Sequence, residues 1–165
     1  EVFAAARAAG AKTVLDVVTP GPGRYWPLLE PVLPQVDVFL PNNHEGELIT
    51  GESDPLAQAE AFHRRGAGTA IVTLGGEGAV VVSREGKFRV PAFSVPFVDG
   101  SGGGDAFAAG YIDGLLRGLD LPGCLLRASA LGASCVQAVG TTTGVFNRQQ
   151  LEDFLARHTL DIRRV

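Results

Sequence analysis

The sequence predicts a three-layer α/β/α fold, in which helices cover both faces of an open, mostly parallel sheet. Apolar strand-like segments alternate with helical segments over the first 75 residues, which is typical of parallel strands joined by helices. Two short strands around Arg84-Glu85-Gly86 then predict a β-hairpin, and C-terminal helices follow it. Hydrophobic residues make up 45% of the 165 residues and charged residues 19%, which suits one globular domain.

The individual elements have recognisable start and stop signals. Gly10 ends the first helix, a loop rich in Pro and Gly occupies residues 20–23, and Ser53 or Asp54 caps a later helix. The predicted strands cover residues 13–18, 36–40, 69–74, 79–83 and 87–90. The predicted helices cover residues 1–9, 25–33, 44–50, 55–65, 103–117, 122–139 and 149–156.

Charge and hydropathy exclude several partners. The net charge is −4 and no stripe of Lys or Arg is present, which argues against nucleic acid. The apolar runs are too short to span a bilayer, so no membrane partner is expected. Cys124 and Cys135 fall in one predicted helix, roughly 16 Å apart, which is too far for a disulfide. Two unbridged thiols indicate a reducing cytoplasm.

The segment that most directly indicates a chemical function is residues 99–105, Asp-Gly-Ser-Gly-Gly-Gly-Asp. Glycines leave backbone N–H groups unshielded at the positive end of the helix predicted from Gly103, which is a natural anion site. Asp105, in the first turn, would take a proton from an attacking hydroxyl while the amides hold a phosphate. The alternative is that Asp105 only caps the helix. Three adjacent glycines favour function, because they weaken packing without a structural gain.

The segment from Asp99 to Phe107 resembles the C-terminal signature of the PfkB (ribokinase-like) carbohydrate kinases, usually D-T-x-G-A-G-D-x-F. Pro41-Asn42-Asn43-His44-Glu45 is similar to the P-N-x-x-E element of that family, and residues 72–79 to its nucleotide-side strand and turn. Together these segments extend the resemblance over nearly the whole chain. Gly100 replaces the usual Thr, which removes a hydroxyl and loosens the loop, and this departure weakens the family's monovalent-cation site most. Gly103 replaces the usual Ala, Cys or similar small residue and adds further backbone freedom.

The resemblance implies a role for individual residues. The implied catalytic residues are the base Asp105 and the anion-hole glycines Gly102, Gly103 and Gly104. The implied nucleotide-binding residues are Asn42, Thr73, Gly75, Gly78, Thr142 and Gly144. Asn42 and Glu45 would order Mg²⁺ and its waters, and Asp99 matches the position that in many members helps hold a monovalent cation, usually K⁺.

The expected activity is ATP-dependent phosphorylation of a hydroxyl on a sugar or sugar-like molecule, in the cytoplasm. The chain contains no methionine and opens in a helical segment, so we expect an N-terminal substrate and lid part to be missing. Residues 1–165 would then be the nucleotide-binding and catalytic C-terminal part of a single kinase domain, inactive alone and homodimeric at full length. The alternatives are a vitamin or nucleoside kinase of the same superfamily, and a non-catalytic nucleotide-binding module.

Several candidates also have a plain structural interpretation. Asn42 and Glu45 fit a capping box at a helix start. Asp16 lies near the end of the strand predicted at 13–18, which is expected to be buried, and it either faces a ligand crevice or caps a loop. The hydroxyls of residues 141–143 either turn the chain or contact the nucleotide. His44, His63 and His158 lack metal-ligand spacing and are interpreted as surface or capping residues.

Overall fold

The computed structural model shows the predicted alternation of helices and strands over the residues that it describes, which are 1–18, 21 and 23–165. In this part of the chain the α-helices are Val2–Ala8 (α1), Trp26–Leu29 (α2), Asn43–Thr50 (α3), Pro55–Arg64 (α4), Gly103–Leu116 (α5), Leu121–Cys135 (α6) and Arg148–Leu155 (α7). The strands there are Val14–Leu15 (β1), Val38–Phe39 (β2), Thr69–Thr73 (β3), Ala79–Ser83 (β4), Gly86–Val90 (β5) and Arg163–Arg164 (β6). Pro20 and Pro22, two of the four residues of the predicted Pro/Gly loop, lie outside the described residues.

The chain divides into two units with separate interiors. The first unit comprises Glu1–Leu74, Ala79–Arg89 and Arg164–Val165. The second unit comprises Gly75–Gly78 and Val90–Arg163.

Among the described residues the strands form one mixed, mostly parallel sheet in the order β1-β2-β3-β4-β5-β6. β1 pairs in parallel with β2, with Val14 opposite Val38, and β2 pairs in parallel with β3. β4 runs antiparallel to β3, with Thr69 opposite Ser83. β4 and β5 are neighbours in the sheet and are joined by only Arg84 and Glu85, so the predicted hairpin is confirmed. β6 was not predicted, because two exposed arginines give no strand pattern.

Several predicted elements are shorter in the structure, among them the strand predicted at 36–40, which is only Val38–Phe39. The helix predicted at 25–33 is only Trp26–Leu29, followed by a 3₁₀ turn at Leu33–Gln35. Pro31 and Pro34 account for this, because proline removes an N–H donor and clashes inside a helix. The strand predicted at 13–18 as buried is two residues long and half-buried. The helix predicted at 122–139 ends at Cys135, where the carbonyl of Val136 accepts the N–H of Val98 instead of continuing the helix.

The core of the first unit lies between α4 and the sheet. Phe62 of α4 is fully buried and meets the ring of Phe39 on β2 edge to face, with ring centroids 4.8 Å apart. Trp26 packs on the other side of Phe62 at 5.6 Å, and the guanidinium carbon of Arg65 lies 3.8 Å from the Trp26 ring centroid. Trp26 is therefore a packing residue.

In the second unit, α5 and α6 pack with their backbones in contact. A Cβ atom on Gly110 would lie 2.6 Å from the carbonyl oxygen of Arg127, and one on Gly114 would lie 2.7 Å from the Cα of Cys124. The spacing of four residues places both glycines on one face of α5. This close contact fixes the glycine-rich start of α5 near the end of α6, because the two helices cannot slide apart without losing it.

A charged network joins α5, α6 and α7 within the second unit. Arg127 is 5% exposed, and its Nε lies 2.5 Å from Oδ2 of Asp113 while its Nη2 lies 2.9 Å from Oε1 of Glu152. Arg117 contacts the same two carboxylates at 2.9 and 3.2 Å. Burial raises the pKa of Asp113, but the hydrogen bonds and charges of Arg127 and Arg117 outweigh it, so the pKa lies below its usual value. The hydrogen bond from Arg127 likewise lowers the pKa of Glu152.

We expect the network to make stability depend on pH. Both carboxylates have lowered pKa values in the folded state, so their stabilisation is present above the ordinary values of 3.8 and 4.5 and is lost below them. The loss should be roughly 1 kcal/mol, because both groups are partly exposed and water screens the ion pairs. Urea unfolding of the full-length protein between pH 7 and pH 3 measures it. Arg127→Met should reduce this pH dependence, and an unchanged dependence would contradict the assignment.

Candidate active site

The start of α5 is built by a left-handed glycine. Gly102 is the N-cap residue with φ 76° and ψ 0°, a conformation that only glycine adopts at no cost. A Cβ atom there would lie 2.6 Å from the carbonyl oxygen of Thr141. The N–H of Gly103 donates to the carbonyl of Gly100 at 3.3 Å, whereas the N–H groups of Gly104 and Asp105 have no acceptor within the helix. The first turn therefore presents two backbone donors, next to open space at Gly104.

Asp105 lies in this first turn with an exposed side chain. A purely capping Asp105 would accept the N–H of the N-cap residue, in the way that the third residue of a capping box does. Among the described residues no such hydrogen bond to the Asp105 carboxylate is found. The geometry therefore leaves the carboxylate available to a substrate beside the first-turn amides.

Asp99 and Cys135 hold the residues that precede α5. The Oδ1 of Asp99 accepts the N–H of Ser101 and its Oδ2 accepts the N–H of Gly140, both at 3.0 Å. These bonds, that of Gly140 first, keep the pKa of Asp99 below its usual value. The thiol of Cys135 lies 3.4 Å from the carbonyl oxygen of Ser101 and 3.3 Å from that of Thr141. Neither Cys135 nor Gly140 was predicted from the sequence as a neighbour of this segment.

The segment after α6 is a turn in direct contact with the start of α5. Thr142 is exposed and its carbonyl accepts the N–H of Val145 at 3.2 Å. A Cβ atom on Gly144 would lie 2.6 Å from the carbonyl oxygen of Ser134, so glycine is required there by packing. The structure thus brings residues 141–144 beside Gly102, and their nucleotide contact stays a prediction.

Gly75 and Gly78, also in the second unit, form a tight turn. The N–H of Gly78 donates to the carbonyl of Gly75 at 3.1 Å, and both residues have positive φ, 58° and 96°. A Cβ atom on Gly78 would lie only 1.9 Å from the carbonyl oxygen of Val90. Gly78 is therefore needed for backbone packing, whether or not it contacts a nucleotide.

In the first unit, the structure brings Asn42, Glu45 and Thr73 together. The Oδ1 of Asn42 accepts the N–H of Glu45 at 2.9 Å, and Oε2 of Glu45 accepts the N–H of Asn42 at 2.8 Å, so the capping box is confirmed. Asn42 also forms a parallel β-bridge with Thr73. The N–H of Thr73 donates to the carbonyl oxygen of Pro41 at 3.0 Å. These residues follow the carboxyl ends of β2 and β3, where open α/β sheets bind ligands.

The metal prediction is tested by the kind of donors available. Glu45 is 4% exposed and carries a carboxylate, and Asn42 carries an amide oxygen, so both supply the oxygen ligands that Mg²⁺ prefers. In the described part of the chain no group of three or more His, Cys, Asp or Glu side chains is arranged to hold a metal ion. The donor set fits a Mg²⁺ that keeps waters and phosphates as its other ligands.

The remaining candidates have structural contacts. Asp16 is exposed, and its Oδ1 accepts the N–H of Val17 at 2.8 Å. The Nδ1 atoms of His63 and His158 contact the carbonyl oxygens of Ala67 and Phe154 at 2.8 and 2.9 Å, which agrees with a capping interpretation. Over residues 1–18, 21 and 23–165 no helix combines the length and apolar character needed to cross a membrane.

The fold and the glycine–Asp segment define a class of protein. Residues 1–148 match the family model described as pfkB family carbohydrate kinase, and the chain belongs to this family. Its α/β fold is that of the ribokinase-like kinases, as predicted.

Particular relatives show how close the similarity is. A 2-dehydro-3-deoxygluconokinase from Bacillus subtilis (strain 168) is 38% identical over 121 residues, 73% of this chain and 37% of that protein. Aminoimidazole riboside kinase from Salmonella enterica, solved with aminoimidazole riboside and an ATP analog, has a TM-score of 0.84 and is 29% identical to this chain. The match covers 93% of this chain and 55% of that kinase chain. A structure from E. coli assigned to a ribokinase II, with ATP and Mg²⁺, has a TM-score of 0.78 and is 28% identical to this chain. The match covers 94% of this chain and 52% of the E. coli chain.

The chain spans between about a third and a half of the length of the curated relatives that it matches. The activity of the whole protein, its substrates and its partners are therefore a matter for proposal.

Proposed function

We propose that the protein containing this chain transfers the γ-phosphoryl group of ATP to a hydroxyl of a sugar or sugar-like molecule. The observation that carries the proposal is the start of α5, where Gly102 adopts φ 76° and two first-turn amides stand beside the exposed Asp105. Phosphoryl transfer requires mainly positioning and charge stabilisation, and this arrangement supplies both.

Different residues of the chain have different roles in the proposed reaction. Asp105 accepts the proton of the attacking hydroxyl as the oxygen of that hydroxyl bonds to the γ-phosphorus. The bond from the γ-phosphorus to the oxygen that bridges it to the β-phosphate breaks, and ADP leaves with that electron pair. The N–H groups of the glycine segment donate to the phosphoryl oxygens, whose negative charge is stabilised by the positive end of α5. Because these donors belong to the backbone, no side chain has to reorganise during the reaction.

Nucleotide and metal roles complete the proposal. Thr73, Gly75, Gly78, Thr142 and Gly144 are proposed to lie along the nucleotide, in line with the ATP complexes of the structural relatives. Asn42 and Glu45 would hold Mg²⁺ through its waters, and that ion would neutralise charge on the phosphates. Asp99 is the proposed monovalent-cation residue, and omission of K⁺ from the assay tests it.

The acceptor class rests on the relatives. One relative is named as a kinase of a sugar acid and another as a kinase of a riboside, and both names describe hydroxyl acceptors that carry a sugar or sugar-derived skeleton. The riboside kinase keeps a nucleoside-type acceptor as the second candidate. A cytoplasmic location is supported by the buried free thiols of Cys124 and Cys135. A homodimer of the full-length protein rests on the resemblance alone.

The test is turnover of ATP by the full-length protein over a panel of sugars, sugar acids, ribosides and hydroxymethyl vitamins, with and without Mg²⁺. The expected result is a phosphorylated product for a sugar or sugar acid, while the 165-residue chain alone gives none. A product only from ribosides or vitamins would favour the second candidate. Tight ATP binding without transfer to any acceptor would favour a non-catalytic nucleotide-binding module and refute the proposal.

A further inference from the structure

We propose that Asp99 and Cys135 are positioning residues that clamp the glycine segment to the turn after α6. The loop clamp consists of these two side chains and the backbone of Ser101, Gly140 and Thr141. The inference rests on the proposed function, because it assigns the clamp the task of aiming the first-turn amides of α5 at the phosphate.

Asp99 forms the first half of the loop clamp. One carboxylate oxygen accepts the N–H of Ser101 and the other accepts the N–H of Gly140, each at 3.0 Å. A single side chain thus joins two backbone segments that are 41 residues apart in sequence. Hydrogen bonds to an ionised carboxylate are stronger than neutral ones, so this side chain is well suited to hold two loops together.

Cys135 forms the second half and contacts the same two backbone segments through their carbonyl groups. Its sulfur is fully buried and lies 3.4 Å from the carbonyl oxygen of Ser101 and 3.3 Å from that of Thr141. A thiol has one proton, so the S–H donates to the two carbonyls as a shared bond or in alternation. Asp99 therefore binds the N–H groups of the two segments, and Cys135 binds their carbonyl groups.

The loop clamp also fixes the end of α6. Cys135 is the last residue of α6, and the next carbonyl, that of Val136, accepts the N–H groups of Val98 and Asp99 at 2.8 and 3.2 Å. The close contact of α6 with Gly110 and Gly114 fixes α5, which follows the glycine segment. The loop clamp holds the residues that precede the segment, so the segment is held at both of its ends.

The glycine segment requires such support. Gly100, Gly102, Gly103 and Gly104 give it the freest backbone that a chain offers, whereas an anion site works only if its donors are already oriented. The backbone of Thr141 already touches Gly102, since a Cβ atom there would meet the Thr141 carbonyl oxygen at 2.6 Å. Loosening either half of the clamp should therefore misdirect the amides without removing any of them.

The test compares Asp99→Asn and Cys135→Ala with matched controls in the full-length protein. Asp120→Asn removes another carboxylate that accepts a backbone N–H, at the start of α6, and Cys124→Ala removes the other buried thiol of α6. We expect kcat to fall about 10- to 100-fold in both clamp variants, because misaligned groups lose catalysis steeply, and to stay within about twofold in the controls. Cys135→Ser should recover part of the loss, because its hydroxyl can donate to the same two carbonyls.

Hydrogen exchange of the amides separates the loop clamp from the proposed function. Each clamp variant should raise exchange in residues 99–104 and in residues 139–144 together, even if no acceptor is found for the wild-type enzyme. Exchange that rises in only one segment, or equally in the Asp120→Asn and Cys124→Ala controls, would overturn the proposal. Clamp variants with wild-type exchange and wild-type kcat would overturn it as well. Failure of the wild type to phosphorylate any acceptor would instead count against the proposed function.

Discussion

Asp105→Asn is expected to lower kcat of the full-length protein by at least about 10²-fold while leaving its stability nearly unchanged. An amide cannot take up the proton of the attacking hydroxyl, and loss of a general base typically costs 10²- to 10⁴-fold. The side chain is exposed, so its replacement by a group of the same shape should alter the free energy of unfolding by less than about 0.5 kcal/mol. Steady-state kinetics with the best acceptor and urea unfolding measure the two quantities.

Asp120→Asn is the control for Asp105→Asn. Asp120 caps α6 by accepting the N–H of Gly123 at 2.9 Å, and asparagine is an equally good N-cap residue. The control should therefore keep wild-type kcat and stability. If Asp105→Asn turns over its acceptor as fast as the wild type, the base assignment is wrong.

Gly78→Ala is expected to lower the free energy of unfolding by roughly 3 kcal/mol or more. The residue has φ 96°, which strains any side chain, and its Cβ would lie 1.9 Å from the carbonyl oxygen of Val90. That oxygen belongs to the backbone, so the strand end or the turn would have to move. The measurement is chemical unfolding of the full-length variant and wild type at the same pH.

Gly76→Ala is the matched control two residues away. Its Cβ would meet nothing within 4 Å, and its φ lies outside the left-handed region, so stability should change by less than about 0.5 kcal/mol. Equal stability of the two variants would show that the Gly78 turn is not packed as described. A Gly78→Ala variant that keeps full stability but loses ATP binding would instead assign Gly78 to the nucleotide alone.

Local sequence patterns predicted much of the fold and the start of the site. The helix start at Gly103 and the pairing of Asn42 with Glu45 were both predicted, because each depends on residues within a few positions of one another. The early end of the helix at 26–29 could also have been predicted, because Pro31 and Pro34 follow it in the sequence. The roles of Asp105 and Asn42 in catalysis and metal binding stay predictions until they are measured.

Contacts between distant parts of the chain could not be predicted in this way. The bond from Gly140 to Asp99 spans 41 positions and the one from Cys135 to Ser101 spans 34, so no local periodicity marks either pair. Gly140 gave a weak signal as a turn glycine, and its φ is 100°. Cys135 was predicted only to be an unbridged thiol in a helix, and a buried cysteine is usually an ordinary core residue.

The most direct test of the central idea observes the amides at the start of α5. The full-length protein would be labelled with ¹⁵N-glycine, and the resonances of Gly102, Gly103 and Gly104 followed as an ATP analogue, Mg²⁺ and acceptor are added. Donation to the phosphates should shift the proton of Gly104 strongly downfield, and Gly118, which is exposed beyond the opposite end of α5, provides an internal reference. Phosphorylation of the acceptor with no change at any of the three α5 glycines would contradict the account.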